Sequence, residues 1–285
     1  MAESIDADAM LLNEVERLYS DPTLKLPTEG TIINKLNDLR GQDLSGLSSG
    51  AAAVYGEILS PELLFRSLDL TKADRFADLG SGRGTIVLAA AMRQAGPVPA
   101  ESLGVEMIAA RHEAAQGARQ LAPSSVQKVC AFELGDALQS DLSRTTKIFI
   151  CNATFSDDLT NRFANALSPH RAPALDRVAT IRPLTDGAQD ANQLVLLRVS
   201  AVNASWARLG TTLYVYGRAK GPDTHGRADT VKPADVVDEA AKAMLASRNA
   251  ADRRAMQRAS ERPDVSAGEA ERNSLRTALM AAALM

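Results

Sequence analysis

The stretch that most constrains this chain is RFADLGSGRGTIVLAAAM, from Arg75 to Met92. Phe76 to Leu79 is a short apolar run broken by Asp78, Ile86 to Ala91 carries helix formers, and Gly80-Ser81-Gly82-Arg83-Gly84 stands between them. The pattern predicts a strand, a glycine turn and the start of a helix. Glycines at such a turn accept positive φ and let the backbone come close to a ligand, while the helix N-terminus offers it unpaired N–H groups. A nucleotide-like ligand is the first expectation.

The spacing narrows that expectation. G-x-G-x-G is one residue shorter than the G-x-G-x-x-G that cradles a dinucleotide pyrophosphate. Asp78, immediately before the turn, would repel a phosphate and would hold the amino group of a methionine-like moiety. S-adenosylmethionine (SAM) therefore fits better than NAD. A glycine-rich turn alone also suits a plain tight turn, so the weight rests on the order of elements downstream.

Ser102 to Val105 reads as a second strand ending in Glu106, twenty-two residues beyond Gly84. An acid at that strand tip is placed to bind a ribose diol through one carboxylate. A helix from Ile108 to Leu121 follows, then a third strand from Gln127 to Leu134 closed by Gly135-Asp136. Asp136 is placed to accept from an adenine amino group, with a simple turn pair as the alternative. Lys147 to Cys151, KIFIC, is almost purely apolar, as the buried middle of a parallel sheet requires, and ends in Asn152. Leu159 to Leu167 is the next helix and Arg177 to Ile181 a fifth strand. Gln193 to Ser200 and Thr211 to Gly217, around a loop from Ala201 to Gly210, read as a terminal hairpin. The fold predicted is α/β, a mostly parallel twisted sheet with helices on both faces and a terminal antiparallel hairpin, of the class I SAM-dependent methyltransferase kind.

The flanks read differently. From Ala9 to Tyr19, Met10, Leu11, Leu12, Val15, Leu18 and Tyr19 recur at helical spacing until Asp21-Pro22, and a second short helix follows Gly30 with Ile32, Ile33, Leu36 and Leu39 on one face. Both are expected to cover one end of the sheet rather than to touch substrate. Ser60-Pro61-Glu62 reads as N-cap, first helical residue and first-turn acid of a helix that turns Leu63, Leu64, Ser67 and Leu68 inward. Beyond Lys220 no aromatic residue occurs, and Pro233 to Ala246 and Arg248 to Glu261 read as helices. Arg253, Arg254 and Arg258, within the segment from Arg248 to Arg262, suit a solvated mixed-charge helix, with a weak DNA phosphate contact as the functional alternative. The division expected is an N-terminal helical appendage (1–50), a catalytic domain (51–220) and a C-terminal helical tail (221–285).

The 285 residues suffice for one sizeable core, and 45% hydrophobic with 24% charged content is ordinary for a globular protein. No apolar run approaches the ~18 residues of a membrane span, and MAESIDADAM lacks a signal-peptide pattern. A cytosolic or nuclear location is expected. Cys130 and Cys151 are the only cysteines and have no C-x-x-C spacing, so neither a disulfide framework nor a metal site is expected. A net charge of −3 excludes a whole-molecule electrostatic nucleic-acid binder.

VYGEI from Val54, DLGSGRG from Asp78, GVEM from Gly104, GD at Gly135, CNATF from Cys151, and Trp206 followed by LYVYGR from Leu213 resemble the Dot-one-type (disruptor of telomeric silencing) histone-lysine methyltransferases. The resemblance runs from Ala51 to Arg218 in order and spacing. It implies that Tyr55, Gly56, Glu57 and Ile58 form a loop over SAM, and that Phe76, Asp78, Gly80, Ser81, Gly82, Gly84 and Thr85 wrap its methionine end. Glu106 would hold the ribose and Asp136 the adenine, with Ala137 where the family carries an aromatic. Asn152 and Phe155 would take the asparagine and aromatic positions of an N-N-F-x-F motif beside the methyl-transfer channel, Cys151 and Ala153 replacing two others. Trp206 and Tyr214 would line the mouth for the lysine, and a dry aromatic channel would favour its neutral form over the ammonium of pKa about 10.4. The implied function is SAM-dependent methylation of a core-face lysine of histone H3 in nucleosomes, in the nucleus, without a metal. The rivals are a class I methyltransferase acting on a non-histone protein, RNA or small molecule, and a SAM-binding protein without catalysis.

Overall fold

The computed structural model describes residues 2–24, 26, 56–219 and 241–242. In chain order the elements are α1 (Ala2–Tyr19), α2 (Pro61–Ser67), β1 (Arg75–Leu79), α3 (Thr85–Met92), β2 (Glu101–Glu106), α4 (Ala109–Leu121), α5 (Ser124–Val129), β3 (Cys130–Leu134), β4 (Lys147–Ile150), α6 (Asp157–Ala166), β5 (Arg177–Thr180), α7 (Asp186–Ala191), β6 (Leu194–Ala204) and β7 (Ala207–Arg218). The strands form one seven-stranded sheet in the order β3-β2-β1-β4-β5-β7-β6. The first five pair in parallel, and β7 runs antiparallel to both β5 and β6. This is the predicted α/β architecture, with the strand arrangement of a class I methyltransferase.

Alternation along the strands separates two cores. Phe76, Phe149, Ala179, Leu213 and Val215 face α1, α2 and α3, while Ala77, Leu79, Ile148, Ile150, Val178 and Tyr216 face α6 and α7. The four residues of β4 are all buried, which is why KIFI carries no alternation in the sequence. TIVLAAAM in α3 is apolar all round for the same reason: Met92 alone of its eight residues is not buried, so it has no solvent face to mark.

Three boundaries differ from the sequence reading. Residues 124–129 are the helix α5, and the third strand begins only at Cys130. The Arg119 guanidinium holds this corner, donating to Gln127 O and Cys130 O at 2.7 Å each. In the hairpin, most of the predicted loop from Ala201 to Gly210 is strand, and only Ser205 and Trp206 lie between β6 and β7. Register shifts between Leu196 and Arg198 and between Val202 and Ala204 break the alternation that would have revealed the pairing. Helix α7 has no counterpart in the reading, although its Thr185 cap, accepting from Ala188 N at 3.3 Å, is a local signal.

At α2 the Ser60 hydroxyl accepts from Asn203 N at 3.2 Å instead of capping the helix. Glu62 is a buried partner of Arg93 rather than a solvated first-turn acid, and Phe65 takes the inward position expected of the half-buried Leu63. Tyr55, the helix after Gly30 and the Arg248 to Arg262 segment lie outside the described residues, as does the helix from Pro233 to Ala246 apart from Ala241 and Lys242. Ala241 is buried against Val199.

Candidate cofactor and active site

The turn after β1 is a backbone device. Gly80, Gly82 and Gly84 have φ of 88°, 57° and 87°, a region L side chains rarely adopt. That path lets Gly80 N and Ser81 N both donate to Val105 O at 2.9 and 3.0 Å, and Gly82 N to Glu106 Oε2 at 2.8 Å, folding the turn over the end of β2. Gly84 then stands at the N-cap of α3.

Two buried acidic groups, Asp78 and Glu106, gather beneath the turn. Asp78 is 3% exposed and its Oδ1 has no hydrogen-bond partner; burial, with the nearby Glu106 charge second, pushes its carboxyl up to about 8. Glu106 is also raised by burial, against the opposing charge of Arg111 and the N–H groups of Ile108, Gly82 and Met107. Its Oε1 accepts from Ile108 N at 2.8 Å. The Ser81 hydroxyl is buried without a partner as well. Register places Asp78 opposite Gly104 on β2 and Phe149 on β4. The group thus lies at the carboxyl ends of the central strands, where the chain order reverses between β1 and β4 and open α/β sheets bind ligands. Cys151 follows β4, and burial together with the Asp78 charge pushes its thiol up to about 12. An orphaned carboxyl oxygen, a second carboxylate and a buried hydroxyl suit a ligand that brings an ammonium and hydroxyl donors. The residues fit SAM, and they do not suit a phosphate.

The segment before α2 adds itself to the hairpin. Ile58 bridges Ala204, Leu59 N donates to Asn203 O at 2.8 Å, Ser205 N donates to Glu57 O at 2.9 Å, and Glu57 N donates to Ser205 Oγ at 2.8 Å. The Glu57 carboxylate turns to the glycine turn, accepting from Thr85 Oγ1 at 2.6 Å and Arg83 Nε at 2.9 Å. Trp206 packs against Gly56, and its indole N–H is buried without a partner.

On the side of β4 and β5, Asn152 is 1% exposed. Its Oδ1 accepts from Ile181 N and Arg182 N at 2.9 and 2.8 Å, and Nδ2 donates to Arg182 O at 3.2 Å. The amide therefore ties the ends of two strands together. Phe155 stacks on Phe163, ring centroids 5.2 Å apart, and a Cβ on Gly80 would stand 3.9 Å from its ring tip. Its carbonyl accepts from the Arg182 guanidinium, which also pairs with Asp157.

Other predicted residues are more dispersed. Tyr214, opposite Thr180, packs with Phe155 on the core of α6 and α7, whereas Trp206 packs on the core of α1 to α3. The three aromatics expected at one mouth are thus divided between the two faces. Phe76 is a core residue, edge-on to Phe65 at 5.9 Å. Asp136 is exposed and its Oδ1 accepts from Leu138 N at 2.9 Å, with Ala137 buried beside it. The sequence reading missed Arg83, Ser205 and Arg182. Of these only Arg83 carries a local signal, a long cation inside a turn of glycines.

Among the described residues no group of three or more His, Cys, Asp or Glu is placed to hold a metal ion, and no helix is long and apolar enough to cross a membrane.

Comparison with known proteins bears on the same region. A histone-lysine N-methyltransferase of Chaetomium globosum, "H3 lysine-79 specific", is 26% identical over 186 residues, covering 52% of this chain and 35% of the relative. The chain therefore spans about a third of the length of that relative. Among solved structures, an uncharacterized protein from Listeria monocytogenes matches with a TM-score of 0.52 at 12% identity, covering 78% of this chain and 96% of the other. An RNA methyltransferase from Salinibacter ruber, in complex with S-adenosyl-L-homocysteine, matches at a TM-score of 0.41 and 18% identity over 59% and 95%. The Listeria likeness speaks to the fold alone. The family described as "Histone methylation protein DOT1" matches residues 38–193, which include the glycine turn, Glu106, Asn152 and Phe155 but end before Trp206 and Tyr214. With more than half of its length inside that match and the turn, acid and strand order in place, the chain belongs to the DOT1 histone methylation family.

Proposed function

We propose that the protein is a SAM-dependent protein-lysine methyltransferase that acts on histone H3 in nucleosomes, in the nucleus. The observation that carries the cofactor half of this reading is the pair Asp78 and Glu106, two buried carboxyls beside a three-glycine turn, one of them with an unpartnered oxygen. A buried carboxyl pair is relieved by a cation and by hydroxyl donors. Membership of the family supports the acceptor half.

When bound, SAM supplies an electrophilic methyl group on a sulfonium sulfur. Asp78 would accept from the ammonium of the methionine end. Glu106 would use its remaining lone pairs for the ribose hydroxyls while its bond from Gly82 N keeps the turn in place and that from Ile108 N fixes the start of α4. Asp136 and Ala137 would border the adenine, and the loop of Tyr55 and Glu57 would lie over the ligand. Phe155, stacked on Phe163 against the turn, excludes water from the acceptor side and favours a neutral lysine amine. Attack needs that nitrogen held at about 3–3.5 Å from the methyl carbon. Asn152 is a positioning residue, since its amide fixes the backbone that carries Arg182 and, through it, Phe155.

Incubation with methyl-tritiated SAM and, separately, nucleosomes, free histones and a histone-free lysate tests the reading. Label on H3 of nucleosomes in excess of the other acceptors is the expected result. Label confined to RNA or non-histone protein overturns the acceptor. Binding of SAM with no transfer to any acceptor leaves a cofactor-binding protein, the reading that Ala137, Cys151 and Ala153 favour.

A further inference from the structure

The glycine turn of residues 80–84 is held on its inner side by β2, and on its outer side Arg83 ties it to other segments of the chain. Arg83 leaves the cradle and meets two other segments. Its guanidinium pairs with Glu57 Oε1 at 2.7 Å and with Glu16 Oε1 of α1 at 2.5 Å, and it lies over the Tyr19 ring at 4.3 Å from the centroid. The Tyr19 hydroxyl donates to the Arg83 carbonyl. Burial pushes the Tyr19 phenol above its ordinary range, so it is a donor at neutral pH. Helix α1 is itself fixed independently of Arg83: Leu11 and Val15 are buried in the core, and Asp8 Oδ1 accepts from Glu62 N at 2.6 Å.

We propose that α1 is a working part of the cofactor site, and that Arg83 is the positioning residue through which it sets the glycine turn and the Glu57 loop. The proposal rests on the SAM reading above. Three residues at positive φ give this turn a large freedom to lose on binding. An anchor on a rigid helix removes that freedom in the free protein, and preorganisation of this kind appears as ligand affinity. Arginine suits the task because its planar fork can hold two carboxylates at once, which a lysine ammonium on a flexible stem does less well. The competing account is that Arg83 only fastens α1 to the body of the protein. That role would move stability and leave affinity alone.

Calorimetric titration of the full chain with S-adenosylhomocysteine separates the two, with thermal melting of each free variant alongside. Arg83→Leu is expected to bind at least tenfold more weakly, Arg83→Lys to lie between it and the wild type, and Tyr19→Phe, which keeps the ring, to lose a few-fold. Glu16→Gln is expected to weaken binding about threefold in the wild type and to have no further effect beside Arg83→Leu. Wild-type affinity in folded Arg83→Leu, or an equal loss from Glu16→Gln in both backgrounds, overturns the proposal. Should Arg83→Leu not fold, unchanged affinity in Tyr19→Phe and Glu16→Gln overturns it equally. A wild type that does not bind S-adenosylhomocysteine overturns the cofactor reading, and the role of α1 with it.

Discussion

The indole of Trp206 fills the space that a side chain on Gly56 would need, for a Cβ built there would lie 2.3 Å from Cε3. The contact joins the segment before α2 to the tip of the terminal hairpin, and the paired hydrogen bonds between Glu57 and Ser205 flank it. The family match covers Gly56 and stops before Trp206. A loop inside the matched region therefore takes its position from a hairpin outside it, and the same loop delivers Glu57 to Thr85 at 2.6 Å.

Gly56→Ala should accordingly cost both stability and cofactor affinity. Overpacking of a close contact is worth roughly 1–3 kcal/mol, and a displaced loop would withdraw Glu57 from Thr85. Trp206→Leu should lessen the stability loss in the Gly56→Ala background, because the smaller side chain makes room. Denaturant midpoints of the four proteins in this cycle measure it, and equal losses in both backgrounds would show that the two residues do not conflict.

Asp78 makes binding a proton-linked event. Its folded-state pKa of about 8 lies above the ordinary 3.8, so its contribution to stability is present at low pH and is lost as pH rises through 8. Asp8, raised to about 6 by burial, acts in the same direction over a lower window. Asp78→Asn should therefore flatten the fall in stability of the ligand-free protein between about pH 4 and 8 relative to the wild type. A cationic ligand reverses the preference by favouring the ionised carboxylate. At pH 7, SAM binding should release up to about one proton, seen as a binding enthalpy that changes with the ionisation enthalpy of the buffer. The dependence should shrink in Asp78→Asn; an identical buffer dependence in that variant would remove Asp78 from the site.

Glu62 and Arg93 make a third prediction, a purely structural one. Their side chains are 1% and 3% exposed, Arg93 Nε stands 2.8 Å from Glu62 Oε2, and Glu62 Oε1 has no hydrogen-bond partner. Removing one member of a buried pair strands the other charge and costs about 3–5 kcal/mol, while replacing both by apolar residues is often neutral. Arg93→Met should lose stability on that scale, and Glu62→Leu with Arg93→Met should recover most of it. Urea unfolding decides it, and a double variant no more stable than Arg93→Met would mean that packing around Phe65, rather than charge, sets the cost.

What the sequence made legible is what is local. Gly80, Gly82 and Gly84 announce a turn because their φ values exclude other residues, and Glu106 is found by counting across one strand-helix-strand unit. The residues that escaped are defined by distant partners. Glu62 reads as a first-turn acid because Ser60 and Pro61 precede it, and only the fold brings Arg93 to it. Ser205 reads as the middle of a long loop because the bulges near Leu196 and Val202 erase the strand period. Arg83 looks like a solvated cation in a turn, and its meaning lies with Glu16 and Tyr19, more than sixty residues upstream.

Asn152 is the strongest case, and it carries the last prediction. Its place at the end of an apolar strand suggests an amide aimed at the incoming amine, yet both heteroatoms of that amide are engaged with the backbone of residues 181–182. Asn152→Ala would leave two backbone N–H groups without their acceptor in a buried place, at about 1–3 kcal/mol for each such group. The variant should therefore be clearly less stable, and its methyl-transfer rate should fall because Phe155 loses a fixed support through Arg182. Asn152→Asp separates the roles. Its carboxylate can still accept from Ile181 and Arg182 but sets a second oxygen against the Arg182 carbonyl to which Nδ2 donates, so it should recover part of the stability. A positioning residue should recover rate in step with stability, whereas an amide needed in the chemistry itself should recover stability alone. Single-turnover rates at saturating SAM, read beside urea midpoints, distinguish these outcomes, and a slow but stable Asn152→Asp would return Asn152 to the chemistry itself.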